Sequence, residues 1–292
     1  HTFDDDFTAK GFKNWNGKRY SKKLRKLGSV ISQIGHTETN SHPTLVGVAE
    51  VENLAVLQNL IATKELKDLG YDIVHYDSPD ERGIDVGLLY RTENFEVLES
   101  ETVSVYLESA PGERDYTRDI LHVTGNLMDI RTHVLVNHWP SRRSGVDESE
   151  PKRITAAQKN RMVIERIQEE EPEARIIIMG DFNDGPHNES VKNHLVQKDL
   201  YNPMVFLNTR YEGSLNHDFE WYLFDQIILS TNFMRLHENA LRYHKSDIYN
   251  EHYLTEFKGR FKGNPFRTYA GKRYLGGYSD HFPVYCIFEH HT

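Results

Sequence analysis

Cysteine is almost absent from this chain: Cys286 stands alone among 292 residues. A lone thiol excludes an intrachain disulfide framework and any cysteine-based zinc cluster. Its setting in Pro283-Val-Tyr-Cys-Ile-Phe288 predicts a buried strand position. Long apolar runs are missing too. No stretch approaches the roughly 20 apolar residues of a membrane-spanning helix, so a soluble chain with no membrane span is expected. No Pro/Gly/Ser-rich linker, low-complexity tract or internal repeat divides the sequence, which favours a single domain over residues 1–292. With 38% hydrophobic residues, such a domain has enough apolar surface for a sizeable core. A monomer is expected. No secretory leader is visible, and the polar opening at His1 leaves a removed leader, and so a secreted or periplasmic location, open.

Positive charge is in deficit, with 35 Lys and Arg against 44 Asp and Glu and a net charge of −9. That balance argues against tight, sequence-independent nucleic-acid binding over the whole surface, because phosphate neutralisation needs clustered cations. One segment runs the other way. Lys258, Arg260, Lys262, Arg267, Lys272 and Arg273 occur with no acidic residue between them, interleaved with Phe261, Phe266 and Tyr269. It reads equally as a solvated basic loop or as a phosphate-facing one.

Leu24, Leu27, Val30, Ile31 and Ile34 recur at helical spacing between Tyr20 and Gly35, which predicts an amphipathic surface helix. An apolar strand over 44–49 follows, and Asn53 is placed to cap a helix over 54–69 that Gly70 ends. Residues 84–90, 95–106, 119–129 and 131–137 are β-rich, the last two near enough to pair antiparallel. A helix over about 151–170 leads into a buried strand at 175–179, and 222–230 and 282–289 supply later strands. Strands in antiparallel runs with a few amphipathic helices predict an α/β (α+β) arrangement of packed sheets with helices outside, not a doubly wound Rossmann sheet.

Chemistry-bearing residues gather at predicted strand ends, in Gly47-Val-Ala-Glu50, Val136-Asn-His138-Trp-Pro140, Met179-Gly-Asp181-Phe-Asn183-Asp-Gly185, Phe224-Asp225-Gln-Ile-Ile-Leu-Ser230 and Ser279-Asp280-His281-Phe-Pro283. In an extended Asp181-Phe-Asn183 the acid and the amide would share one face with Phe182 buried behind, an arrangement suited to aligning a water and holding a phosphate oxygen. The plain alternative is a turn, since Asn-Asp-Gly is strong turn chemistry. A calcium EF-hand loop fits badly: the glycine comes one residue early, and Lys192 occupies the bidentate glutamate position. Glu50 closes an apolar strand, where an unpaired carboxylate is costly and a hard divalent cation would offset the cost. Asp280-His281 alone is weak evidence among 16 histidines. Gly-x-Ser-x-Gly is absent, so no covalent serine chemistry is expected.

Those segments, in this order and spacing, resemble the endonuclease/exonuclease/phosphatase superfamily, which includes pancreatic-type deoxyribonucleases, abasic-site endonucleases, sphingomyelinases and inositol-polyphosphate phosphatases. The likeness runs from about Asp4 to Phe288. Asn137-His-Trp-Pro-Ser-Arg-Arg143 and Arg82-Gly-Ile-Asp-Val86 look most like a bacterial branch. The resemblance implies a four-layered αββα sandwich of two mainly antiparallel sheets. It implies Glu50 as metal ligand with Asp280 beside the metal, Asp181 as the residue that activates water, and Asn183 as the phosphate-oxygen amide. His281 matches the C-terminal catalytic histidine, Asp225 its carboxylate partner, and His138 the second histidine. The family's first central strand, with its metal-shell asparagine, is not found; Asn14 and Asn16 follow the wrong kind of segment, so that strand is expected to precede residue 1.

The implied reaction is in-line attack of water on phosphorus with Mg²⁺ or Mn²⁺, Ca²⁺ being possible. A phosphodiesterase or nuclease is the first expectation. A small-molecule phosphatase acting on an inositol phosphate, a nucleotide or a lipid head group is the alternative, and a non-catalytic binding module is the remote one. Arg142 and Arg143 are expected to clamp a substrate phosphate and Trp139 to stack on a base or sugar, with a surface turn as the rival reading.

Overall fold

In the computed structural model, residues 5–235 and 240–291 are described. The start of the superfamily likeness at Asp4 lies outside them. The first helix, α1 (Gly17–Ile31), begins where the Asn16 side chain accepts from the Arg19 backbone N–H at 3.2 Å, so Asn16 is a helix cap. The chain continues through β1 (Leu45–Val51), α2 (Leu54–Ile61), β2 (Tyr71–His75), β3 (Asp85–Arg91), β4 (Phe95–Val103), β5 (Ile120–Leu127) and β6 (Ile130–His138). Then come α3 (Val146–Glu170), β7 (Arg175–Asp181), β8 (Leu200–Tyr201), β9 (Asp225–Ser230), β10 (Ala240–Ile248) and β11 (Val284–His291).

The large sheet has the order β8-β9-β7-β6-β5-β4 and is antiparallel except for β6 and β7. Parallel neighbours need a crossover, and α3 provides it. A second layer contains β1-β3-β2 and the β10/β11 pair, each antiparallel. β7 shows how the layers are held. Ile176 and Ile178 face α3, packing with Ala157 and Ile164, while Ile177 and Met179 face the second layer, packing with Val86 and Leu88. Side chains alternate across a strand, so the Ile-Ile-Ile-Met run reads as a centre strand covered on both faces. Each of those isoleucines contributes about 1.5–3 kcal/mol by burial. α1 and α2 cover the outer face of β1 and β3 through Leu24, Ile31, Leu57 and Leu60. Four layers, helices outside two sheets, are the result.

Three element boundaries differ from expectation. α2 ends at Ile61 because Thr63 turns its hydroxyl onto the Leu60 carbonyl at 2.8 Å, and the rest of the stretch to Gly70 is turn. The 222–230 strand is broken, Glu220–Tyr222 belonging to a short hairpin with Leu215–His217 and Asp225 opening β9. α3 starts at Val146, placing Pro151 inside its first turns rather than at its first position.

Candidate active site

Three adjacent strands of the large sheet end in one row. β7 closes on Asp181, which lies in register with His138 at the end of β6 and with Asp225 at the start of β9. Gly180 makes this row possible. Its φ of +138° is strained for any other residue, and a Cβ there would stand 1.9 Å from the Asn137 carbonyl oxygen. Beyond the row the strand stops: Phe182 is fully buried against Trp139, ring centroids 4.7 Å apart. Asn183 turns into the left-handed region at φ 51°. The extended Asp-Phe-Asn geometry is therefore not what forms. Instead the Asn183 N–H donates to Asp181 Oδ1 at 2.8 Å and its side-chain amide donates to the Trp139 carbonyl at 2.9 Å, which fixes the loop over the row.

His281 enters from the loop ahead of β11 and donates from Nδ1 to Asp225 Oδ2 at 2.7 Å. Burial opposes a charge on this imidazole, but the Asp225 carboxylate, then Asp181 and Asp280, outweigh it and push its pKa up to about 10. Burial, with Asp225 second, raises Asp181 to about 6. His138 behaves oppositely: burial, then Arg118, Arg82, His281 and Arg143, hold it well below the ordinary histidine range. It is a neutral imidazole at pH 7, with Nε2 3.7 Å from Asp181 Oδ2 and Nδ1 buried without a partner. It can offer a hydrogen bond to an anion but not a charge.

Glu50 sits on a bulge in β1 at φ 58°. Its carboxylate is 63% exposed, with Arg82 Nη1 3.9 Å away. Asp280 is also exposed. Both bear electrostatically on the Lys23 ammonium, which donates to Thr268 Oγ1 at 2.9 Å and to the Tyr278 carbonyl. Burial lowers Lys23 to about 8, against the pull of Asp280 and Glu50. The donor set fits a hard divalent cation. Its oxygens are carboxylates, Glu50 is left with only one long ion pair, and the crowding of acids that raises Asp181 is what a cation would relieve. Ligand atoms of Asp181, Asp225 and His281 also lie within 4.8 Å of one another. Because His281 Nδ1 is already bonded to Asp225, that trio reads better as a proton relay than as a metal cage. His75, Asp77 and Asp85 form a second such group, but Asp85 is engaged by His75 at 3.0 Å and by Ser78 at 2.8 Å.

The profile described as "Endonuclease/Exonuclease/phosphatase family" matches residues 1–290. The chain belongs to that family. Membership supports a phosphoester-cleaving activity at the coarse level. Among solved structures, D. rerio TDP2 complexed with single strand DNA product is 17% identical with a TM-score of 0.60, 93% of both chains being covered. The endonuclease/exonuclease/phosphatase from Bacteroides vulgatus is 17% identical with a TM-score of 0.55, covering 91% of this chain and 90% of that one. A mannosyl-6-phosphatase from Bacteroides thetaiotaomicron is 17% identical with a TM-score of 0.56, over 94% and 95%. Identities this low establish the shared fold. No curated protein matches the sequence.

Two sequence expectations do not fit this family member's geometry. Trp139 is 2% exposed and donates from Nε1 to Asn137 Oδ1 at 3.0 Å, so it is a packing residue and has no face free for a base. Arg142 lies over Phe224 and donates from Nε to the Asn183 carbonyl at 2.8 Å and from Nη2 to Asp184 at 2.5 Å and Asn188 at 3.1 Å. Those donors are spent on the 183–188 loop, which makes Arg142 an anchor for Asn183 rather than a phosphate clamp. Arg143 is exposed. Arg118 was not anticipated. Buried beneath the site, it donates to the His138 carbonyl at 3.1 Å, the Trp139 carbonyl at 2.5 Å and Asp80 at 2.9 Å. A lone arginine just ahead of the apolar strand Ile120–Val123 was the available signal. Lys23 was read as part of a solvated helix face.

Proposed function

We propose that this chain hydrolyses phosphodiesters with the help of Mg²⁺ or Mn²⁺. The observation that carries the reading is the row His138–Asp181–Asp225 across three strands, with His281 hydrogen-bonded to Asp225 at 2.7 Å. Asp181, ionised at pH 7 yet more basic than an ordinary aspartate, takes the proton of the attacking water. His281, held as an imidazolium by Asp225, places a positive N–H against the phosphoryl oxygen as negative charge develops. His138 adds a neutral donor, and Asn183 is held by Trp139 and Arg142 at the edge of the same pocket. Glu50 and Asp280 would hold the cation, which when bound polarises the phosphoryl oxygen and offsets its charge.

Nucleic acid is the favoured substrate class, supported by the basic, aromatic-bearing 258–273 segment and by a structural neighbour solved with single-stranded DNA product. Phosphate release from a small monoester is the second reading, favoured by the net charge of −9 and by the mannosyl-6-phosphatase neighbour. The deciding test incubates the protein with supercoiled plasmid, single-stranded oligonucleotide, inositol phosphates, sugar phosphates and bis-p-nitrophenyl phosphate, with Mg²⁺, Mn²⁺ or EDTA. Metal-dependent nicking, lowered roughly 100-fold or more by His281→Ala, is expected. Phosphate release without nicking would turn the reading to a phosphatase, and full turnover in EDTA with negligible metal would overturn metal dependence.

A further inference from the structure

Four guanidinium groups crowd the mouth of the site, and they divide into two kinds. Arg118 and Arg142 are spent. Arg118 is closed off by Asp80, His138 and Trp139, and Arg142 by Asp184, Asn188 and Asn183. Arg82 and Arg143 are not. Arg82 is positioned by its backbone: its N–H donates to Asp80 Oδ1 at 2.9 Å and the next N–H, of Gly83, donates to the Asp80 carbonyl at 2.9 Å. Asp80 is itself locked by Arg118, so the turn is rigid. The Arg82 side chain is 34% exposed and approaches Glu50 and Asp80 only to 3.9 Å, outside hydrogen-bond range, leaving its donors unused. Arg143 follows the anchored Arg142 on a single 3₁₀ turn, Arg142–Ser144. Its guanidinium is exposed and has no hydrogen bond or ion pair among the described residues. Arg82 and Arg143 both bear on His138, so they stand on the same side of the row.

We infer that Arg82 and Arg143 form a second anion subsite beside His138, which takes a phosphate adjacent to the scissile one. The inference rests on the phosphoester-hydrolase reading and sharpens its substrate class. The preferred substrate carries two phosphates a sugar-like spacer apart, as an oligonucleotide or a small bisphosphate does. Two arginines with unused, charge-assisted donors suit a phosphate better than a neutral group. The rigid Asp80 turn and the Arg142 anchor hold them in place before ligand arrives, so little ordering cost is incurred on binding.

Binding in EDTA separates this subsite from turnover. Isothermal titration would compare thymidine 5′-monophosphate, thymidine 3′,5′-bisphosphate and the dinucleotide pTpT on the parent chain, on Arg82→Gln, on Arg143→Gln and on the double variant. Thermal melts of each would establish folding, and Lys64→Gln, on the exposed turn after α2, controls for net charge. The parent should bind the bisphosphate more tightly than the monophosphate. The double variant should lose that preference by roughly 10-fold or more, as the loss of charge-assisted hydrogen bonds predicts. A gain shared by pTpT assigns the second phosphate to a nucleic-acid chain, and a gain confined to the bisphosphate assigns it to a small molecule. No preference in the parent, or a preference that survives in the double variant, overturns the subsite. Absence of any metal-dependent hydrolysis with an intact binding preference would instead sink the hydrolase reading alone.

Discussion

Asp225→Asn isolates the electrostatics of the site while sparing its shape. The amide oxygen of the introduced asparagine still accepts from His281 Nδ1, so the tautomer and ring orientation survive, and only the negative charge is removed. In the parent, that charge is the leading reason that His281 is pushed up to about 10 against the opposing effect of burial. Relative to an ordinary histidine at 6.5, the imidazolium is favoured by on the order of 5 kcal/mol, at about 1.4 kcal/mol for each factor of ten in proton affinity. Without Asp225 most of that support goes, and the imidazole should titrate back toward the ordinary range. Asp225 also helps burial to raise Asp181 to about 6, so the same substitution should lower the water-activating carboxylate.

Both limbs of a bell-shaped pH–rate profile should therefore move to lower pH, the acid limb from about 6 and the alkaline limb from about 10. At pH 8.5 the parent His281 is almost wholly charged and the variant's almost wholly neutral, so kcat there should fall roughly 100-fold, the scale of losing one charged stabilising group. Near pH 5.5 the loss should be much smaller. The assay is kcat against pH on bis-p-nitrophenyl phosphate with saturating Mg²⁺, alongside a proton NMR titration of the His281 ring in EDTA, which needs no turnover. An alkaline limb and a ring titration both left where the parent has them would refute the reasoning, because Asp225 would then not control the charge of His281.

Arg118→Ala leaves the buried Asp80 carboxylate without its ion-pair partner and should cost about 3–5 kcal/mol in urea unfolding; a loss under about 1 kcal/mol would show that Asp80 is neutral or solvated. Gly180→Ala brings a methyl onto the Asn137 carbonyl and should cost at least about 3 kcal/mol, so an unchanged urea midpoint would contradict the close β6–β7 approach. In the chain Glu101–His122–His133–Glu171, burial lowers the pKa of both histidines. The unfolded state then binds protons more readily than the native state, so this part of the stability is present above about 6.5 and is lost as pH falls below it. Unfolding free energies at pH 7.5 and 5 should show that loss, and His122→Asn with His133→Asn should shrink it; an equal loss in the double variant would rule these histidines out as its source.

What the sequence disclosed was governed by how local each signal is. β7 was legible because four consecutive apolar residues followed by Gly-Asp-Phe-Asn can only be a covered strand that ends at a polar rim, and both faces of Ile176–Met179 are in fact covered. Glu50, Asp181, Asp225 and His281 were visible for the same reason, as charged or titratable groups at the ends of apolar segments. β10 was missed because half of its side chains are at least partly exposed and carry charge, so its run of Arg, His, Lys and Asp hides the pairing with β11.

The arginines show where local reading fails. A guanidinium next to a catalytic motif looks the same in sequence whether it faces a ligand or a buried carboxylate, and the difference is set by residues far along the chain. Arg142 is turned inward by Asp184 and Asn188, themselves in a polar loop that gave only a turn signal. Arg118 is claimed by Asp80 from a different strand connection, and Lys23 by the Tyr278 carbonyl almost a whole chain length away. Each of these partners completes the hydrogen bonding of a buried charge, which the cost of leaving one unpaired makes obligatory. Subtracting those obligations from the cationic residues near the site leaves Arg82 and Arg143 as the ones whose charge the fold does not consume. The ligand-facing surface is thus defined by what packing leaves over, and that remainder becomes visible only once the carboxylates have been matched to their partners.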